Sequence, residues 1–551
     1  MIRTEPASLT LVHFARCIAG YALVIALTQL SGVHGDETMT LEPGLKQLFL
    51  DDQAVEEMKG LRRKMHQPEK KGPVLKADVP SDGEWVQTVS APMWIPDEGA
   101  YKMVYECQHE GRKYWALATS KDGVRWEKPP VGAVDFRGSK QNNLIASPGG
   151  RLWQVVYDPD DPDPQRRYKG FLGHSGRQPV VSSDCIHWRK LDAPSLPSFD
   201  AGTLCFDRER RLFMGLLKTE GRYGRVYDIT VSENFSDWSE PRFFFGTDDR
   251  DQELALGVIR RRLADPGLAR PLFIDPDPAV GWEPPEWRKK VRWVARETWR
   301  AECYNVGIFP YEGVYLAWLM IYYPTGTGLP QRNNTDGFHL IQLAMTRDLK
   351  EPLVRLGERK TFIGASRIDE KGLVGNYDRL QLQITNHPVE HDDELWFYYC
   401  GFKRRARQHD RWTDGSRRDP STLSALERAD WIEDTHSAIC LAVLRRDGFI
   451  SLEAGEDGGK LITKPFVVTG KGLLVNLDVH KGGAAKVEVL RDDGKPLDGF
   501  ALDDSVELTG DAIRQQVLWK ESAHWRQLRG RTVRLGMQLS RANLYAFWVE
   551  E

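Results

Sequence analysis

The chain has 551 residues, with 76 basic against 79 acidic side chains and a formal net charge of −3. That length exceeds what one ordinary core encloses, so a large domain plus a smaller one is expected. The near-neutral balance supplies no field to draw in DNA, RNA or an anionic membrane, and a nucleic-acid partner is not expected.

Eighteen Trp, 17 Tyr and 21 Phe beside 49 Gly and 31 Pro point to strands and tight turns, since aromatics suit pleated surfaces and Gly and Pro interrupt them. At the start, Arg3 and Arg16 precede an apolar run over Ile18–Leu27, and Val33-His34-Gly35 offers small residues for cleavage. Residues 1–35 therefore read as an export signal, with a mature chain beginning near Asp36 that is secreted or periplasmic and carries no transmembrane segment. Of seven cysteines, Cys17 would leave with the signal. Cys107, Cys185, Cys205, Cys303, Cys400 and Cys440 lack C-x-x-C spacing and lie in apolar strand patterns, the setting of buried free thiols.

From Tyr101 a unit recurs: an apolar strand, a turn, a second strand, then a small polar residue with a charged turn and often Trp. The clearest copy runs from Tyr101-Lys102-Met103-Val104-Tyr105 to Ser120-Lys121-Asp122-Gly123-Val124-Arg125-Trp126. Others end at Ser183-Asp184-Cys185-Ile186-His187-Trp188, at Ser232-Glu233-Asn234-Phe235-Ser236-Asp237-Trp238, at Met345-Thr346-Arg347-Asp348 and, most divergently, at Leu444-Arg445-Arg446-Asp447-Gly448. Each copy holds about four strands, the content of one propeller blade, so five copies predict an all-β, five-bladed β-propeller over residues 36–455. The gap between Ser232 and Thr346 reads as an inserted loop around Pro266–Trp287, with a sixth blade there as the structural alternative. Past Gly448 the repeat stops, and residues 456–551 carry short alternating strands that suit a small C-terminal β-sandwich.

In a propeller the inner strands start at one face of the channel, so residues just ahead of them converge from distant parts of the chain. Glu84 stands ahead of the first inner strand, Asp200 ahead of the third, Glu302 ahead of the fourth and Asp378 ahead of the fifth; the second offers Asn142 and Asn143. Glycoside hydrolysis needs one carboxyl that donates a proton to the leaving oxygen and another, ionised, that attacks or activates water. The expected assignment is Glu302 as general acid, Asp200 as base or nucleophile and Asp378 as pKa modulator or sugar ligand. Trp85, Trp153, Tyr304 and Tyr377 lie beside these positions, where a ring either stacks on a sugar or packs between blades. Asp51-Asp52, at the end of an early strand, is a further sugar-binding candidate at the channel. No nucleotide-binding Gly loop, H-E-x-x-H or G-x-S-x-G appears, and neither a cofactor nor a catalytic metal is expected. The acidic run Asp158–Pro164 reads as a turn. Lys403-Arg404-Arg405-Ala406-Arg407 reads as a solvated loop that would favour a sulfated or carboxylated sugar if it folded over the channel.

Gln47-Leu48-Phe49-Leu50-Asp51-Asp52, His66-Gln67-Pro68, Phe309–Tyr315, Asp336-Gly337-Phe338-His339 and Thr463-Lys464-Pro465-Phe466 resemble a group of exported bacterial proteins. That group is similar to the propeller glycosidases of the invertase and fructanase family and of the arabinanase and β-xylosidase family. The resemblance implies the propeller, and in the invertase case a C-terminal β-sandwich. The W-M-N-D-P-N-G stretch of invertases is absent, and the only R-D-P string, Arg418-Asp419-Pro420, falls in a late polar loop. The arabinanase pattern sets acids on the first three blades, where this chain has Asn on the second. Catalytic roles therefore rest on rim geometry, and three functions are in play: a secreted glycosidase, a non-catalytic carbohydrate-binding propeller, and a sialidase-like hydrolase that would show three arginines beside a tyrosine.

Overall fold

The computed structural model describes residues 38–39, 41–271, 277–281, 299–326, 336–368, 376–403, 437–520 and 524–551. The leader at 1–35, the basic residues 404–407 and the Arg418-Asp419-Pro420 string lie outside them.

Five antiparallel sheets form the blades of a β-propeller. Blade 1 has a two-part inner strand, Trp85–Gln87 and Met93–Ile95, against Ala100–His109, which pairs with Arg112–Ser120. Blade 2 runs outward through Leu152–Tyr157, Tyr168–Leu172, Gln178–Ser182 and Arg189–Lys190. Blade 3 has Gly202–Asp207, Leu212–Gly221, Gly224–Ser232 and Arg242–Phe245. Blade 4 has Glu302–Tyr311, Val314–Gly326, Asp336–Thr346 and Val354–Arg355. Blade 5 takes Gln381–Ile384, Val389–His391, Glu394–Phe402 and Ser437–Arg445 from late in the chain, and its outermost strand, Glu69–Lys76, from early in it. That swap closes the ring with backbone hydrogen bonds between remote segments and covers what would otherwise be an open sheet edge.

The inner strands meet at a polar plug. Asn386 accepts from Ala91 N at 2.7 Å and donates to Leu204 O at 2.9 Å, tying blade 5 to blades 1 and 3. Ser90 Oγ accepts from Val155 N at 2.8 Å, Gln154 donates to Gly202 O, and Thr203 donates to Val306 O. All four side chains are buried, and buried polar groups of this kind are tolerated because they are bonded.

At the far face, where the third strands end, the repeated polar turn is a staple. In blade 1 the Ser120 hydroxyl donates to Asp122 and accepts from Gly123 N, Asp122 accepts from Val124 N and Arg125 N, and the Trp126 indole donates to Gly123 O. Blade 2 repeats the pattern with Ser182, Asp184 and Trp188, and blade 3 with Ser232 and Asn234. The residue after the acid or amide has positive φ in each, Gly123, Cys185 and Phe235. The turn is structural.

Strands Gln47–Leu48, Val55–Lys59 and Leu61–Met65 join Ile450–Ala454, Gly459–Thr463, Phe466–Val467, Leu473–Leu490, Gly510–Gln516 and Thr532–Val549 in one nine-stranded hydrogen-bonded network. Phe49, Leu452, Leu461, Phe466, Val487 and Phe547 share its core. The expected division at 455/456 thus meets a network that also draws on residues 47–65 and 450–454. At the far face Asp447 links it to the ring, accepting from Tyr311 Oη at 2.5 Å and Asn476 Nδ2 at 2.8 Å, with Lys46 Nζ 3.0 Å away.

Within the long gap between blades 3 and 4, the described residues hold a helix, Asp249–Ala264, in place of a sixth blade. Asp248 caps it reciprocally with Asp251. No helix among the described residues is long and apolar enough to cross a membrane. Cys107, Cys185, Cys205, Cys303, Cys400 and Cys440 are free and buried, and the 158–164 run is a turn whose Asp158 pairs with Lys169 and Arg211.

Replacing Asn386 by Leu strands Ala91 N–H and Leu204 C=O in the plug, each worth about 1–3 kcal/mol when left unsatisfied. Denaturant unfolding should show a loss of that order; a variant as stable as the parent would contradict the plug's role.

Candidate functional site

Because the inner strands run in the same direction, their first residues and the tips of the hairpins joining the second and third strands share one mouth. Blade 3 brings Asp200, Lys218 near the end of its second strand and Arg225 at the start of its third. Blade 4 brings Arg300, Glu302 and Tyr304.

These side chains form a continuous chain of contacts. Lys218 Nζ lies 3.0 Å from Asp200 Oδ1 and 4.5 Å from the Tyr304 ring centroid. The Arg225 guanidinium stands 5.2 Å from the same ring and pairs with Glu302 Oε2. Arg300 donates to Glu302 Oε1 through Nε at 2.7 Å, with Nη2 also at 2.7 Å. Gly224, at φ +95°, makes this approach possible: a Cβ there would sit 2.8 Å from the Glu302 carboxyl carbon. Beneath, Tyr227 Oη donates to Tyr304 O at 2.7 Å, and Tyr304 packs edge-on against Tyr322 and His339.

Electrostatics separate the two acids. Burial pushes the Asp200 carboxyl up, but the Lys218 ammonium, aided by Arg225, outweighs it and holds the group down at about 2. Burial pulls Lys218 below its ordinary value against the upward pull of Asp200. Asp200 keeps 47% of its side-chain surface exposed, whereas Glu302 keeps 1%. Asp200 is an ionised carboxylate that solvent can reach; Glu302 is an acceptor with a guanidinium on each oxygen.

The other expected site residues are distributed differently. Glu84 is exposed at the start of blade 1, its N–H bonded to Gln108 O. Trp85 is buried, with Lys113 Nζ 5.4 Å from its ring, and Trp153 is buried under Arg151 at 3.5 Å; both are packing residues. Tyr377 is buried with Lys403 Nζ 4.5 Å from its ring. Asp378 is not brought together with Asp200 and Glu302: its carboxylate accepts from Tyr399 Oη at 2.9 Å and Lys70 Nζ at 2.7 Å, reaching toward the outermost strand of blade 5. Asn143 lies inside blade 1, donating to Tyr105 Oη and Leu117 O and accepting from Ser81 Oγ. Asp51 and Asp52 sit at the opposite face, where Asp51 pairs with Arg347 of the blade 4 turn and Asp52 with Arg63. Their strand belongs to the C-terminal network, which carries them to the other end of the ring.

Lys218, Arg225 and Arg300 escaped the sequence reading. Lys218 left a trace as the one cation closing the apolar run Leu212–Leu217, at the strand end that faces Asp200. Among the described residues two arginines, Arg225 and Arg300, converge on Glu302 beside the strand of Tyr304; a third, Arg177, gives donors to Gly173 O, Gly176 O and Phe199 O. The described residues thus fall short of the three-arginine arrangement of a sialidase-like site.

A carboxylate held below its ordinary 3.8 adds stability that is complete above that value and lost as the pH falls through about 2. Lys218→Met would leave Asp200 buried in part and unpaired, so the variant should melt well below the parent at pH 7 and recover toward it near pH 4 as Asp200 takes a proton. An equal loss at both pH values would contradict the pairing.

No protein-family model and no curated protein matches the chain. Solved structures do match. An α-L-arabinofuranosidase from Podospora anserina in complex with cellotriose is 8% identical, with TM-score 0.36 over 69% of this chain and 98% of that one. A fructofuranosidase from Schwanniomyces occidentalis complexed with fructosylnystose is 9% identical, with TM-score 0.36 over 86% and 96%. An N-acetylgalactosamine deacetylase from F. plautii in complex with blood group B trisaccharide is 11% identical, with TM-score 0.35 over 74% and 96%. At these identities and TM-scores the propeller assignment rests on the strand registers of this chain, and so does the description of its site.

Proposed function

We propose that the protein is a glycoside hydrolase that acts on a polysaccharide or its oligomers at the mouth of blades 3 and 4, with Asp200 as base or nucleophile. The observation that carries the reading is Asp200: partly exposed, kept ionised by Lys218, and one contact away from the partly exposed ring of Tyr304. Attack at a sugar carbon, or activation of the water that attacks it, needs such a carboxylate. Glu302, the expected acid, fits better as the anchor that orients Arg225 and Arg300, and Asp378 as a packing group of blade 5, so the leaving oxygen takes its proton from water at this open mouth while Asp200 attacks the sugar carbon or activates the attacking water. A second reading, a carbohydrate-binding propeller without turnover, is favoured by the same two carboxylates being tied to fixed partners.

Assay of the purified protein against a panel of neutral and acidic glycans decides between them. Asp200→Asn should lower turnover of the cleaved glycan by roughly a hundredfold or more. Unchanged turnover removes Asp200 from the chemistry, and binding without cleavage by the parent supports the second reading.

We further propose export through the leader over residues 1–35. N-terminal sequencing of the protein recovered from its native compartment should begin near Asp36; a mature chain that retains Arg3 would contradict it.

A further inference from the structure

The charges at this mouth do not balance. Among the described residues, the Asp200 and Glu302 carboxylates are surrounded by four cations, namely Arg177, Lys218, Arg225 and Arg300. Among these described groups two positive charges are in excess.

The cations divide by position. Arg177 and Lys218 are interior: Arg177 gives Nη1 and Nη2 to backbone carbonyls and Lys218 pairs with Asp200. They contribute field rather than contact. Arg225 and Arg300 keep 28% and 42% of their side-chain surface exposed. Arg300 engages Glu302 through Nε and Nη2, and Arg225 through Nη1. A guanidinium has five N–H donors, so each arginine retains donors for a second acceptor. Buried Glu302 fixes both planes, the kind of positioning that makes an arginine pair selective for a planar or tetrahedral anion.

We infer that this mouth takes a sugar bearing an anionic group, a carboxylate or a sulfate ester, received by the free guanidinium edges of Arg225 and Arg300. The inference rests on the reading of this mouth as the sugar site and adds the substrate class to it. A neutral sugar would leave the excess charge to counter-ions; an anionic one replaces them with charge-assisted hydrogen bonds.

The test is calorimetric titration of the full mature chain with three probes of equal length: tetragalacturonate, a sulfated galactan tetrasaccharide and the neutral galactan tetrasaccharide. At least one anionic probe should bind roughly tenfold or more tighter than the neutral one, and the preference should shrink with added salt. Which anionic probe wins separates carboxylate from sulfate. Arg300→Gln should remove most of the preference, and Arg300→Lys, which keeps the charge, should retain part of it. Because Arg225 still pairs with Glu302 in both, folding is checked by the melting temperature.

Equal affinity for all three probes, tighter binding of the neutral one, no binding of any, or a preference that survives Arg300→Gln would each overturn the inference. Failure of the hydrolase reading looks different. Anionic probes bound in an Arg300-dependent way but never cleaved would keep this inference and sink that reading. Asp200-dependent cleavage of a neutral glycan without anionic preference would do the reverse.

Discussion

The arrangement of the whole ring depends on what happens where its five inner strands approach the axis. Strand backbones cannot be buried there without partners for their ends, and side chains of the strands supply them. Asn386 reaches from blade 5 to a donor on blade 1 and an acceptor on blade 3, while Ser90, Gln154 and Thr203 tie neighbouring blades. A polar side chain satisfied on both ends fixes relative position more sharply than an apolar contact does, because its bonds are directional. Rotation or sliding of one blade would break them. Fixed blades are what allow Asp200 and Glu302, a hundred residues apart, to share a contact chain.

That chain shows how a propeller mouth sorts acids that look alike in sequence. Asp200 and Glu302 both begin an inner strand, yet one is open with an ammonium beside it and the other is closed under two guanidinium groups. The difference comes from the hairpin tip of blade 3, where Gly224 leaves room for Glu302 to come in and where Arg225 follows at once. Lys218 and Arg225, on the same face of blade 3, both lie against the Tyr304 ring.

Much of the ring was legible because the repeat is local. The apolar strands Tyr101–Tyr105 and Leu212–Leu217, and the Ser–x–Asp turns with their tryptophans, are written in contiguous residues. What was not legible depends on partners far away in sequence. Lys70-Lys71-Gly72-Pro73 carries no strand pattern of its own and becomes the outer edge of blade 5 only because Ser437–Arg445 lies waiting. The segment 47–65 reads as a lead-in to the first blade but pairs with 450–454, 460–463 and 546–547. Asp51 and Asp52 were misplaced for that reason, and Asn143 and Asp378 because the face a side chain takes at a strand's start is set by neighbours such as Tyr105 and Tyr399. Lys218, Arg225 and Arg300 become visible only once strand register is known.

The ring has a second opening, at the far face, where Trp94, Tyr157, Phe206, Arg167 and His387 line a cavity of about 550 Å³. A crystal structure of the protein with the oligosaccharide it binds most tightly therefore tests the account directly. The sugar is expected against Tyr304, with a ring carbon or its attacking water at the Asp200 carboxylate. Sugar lodged instead against Trp94 at the far face, with the Asp200 mouth unchanged, would contradict it.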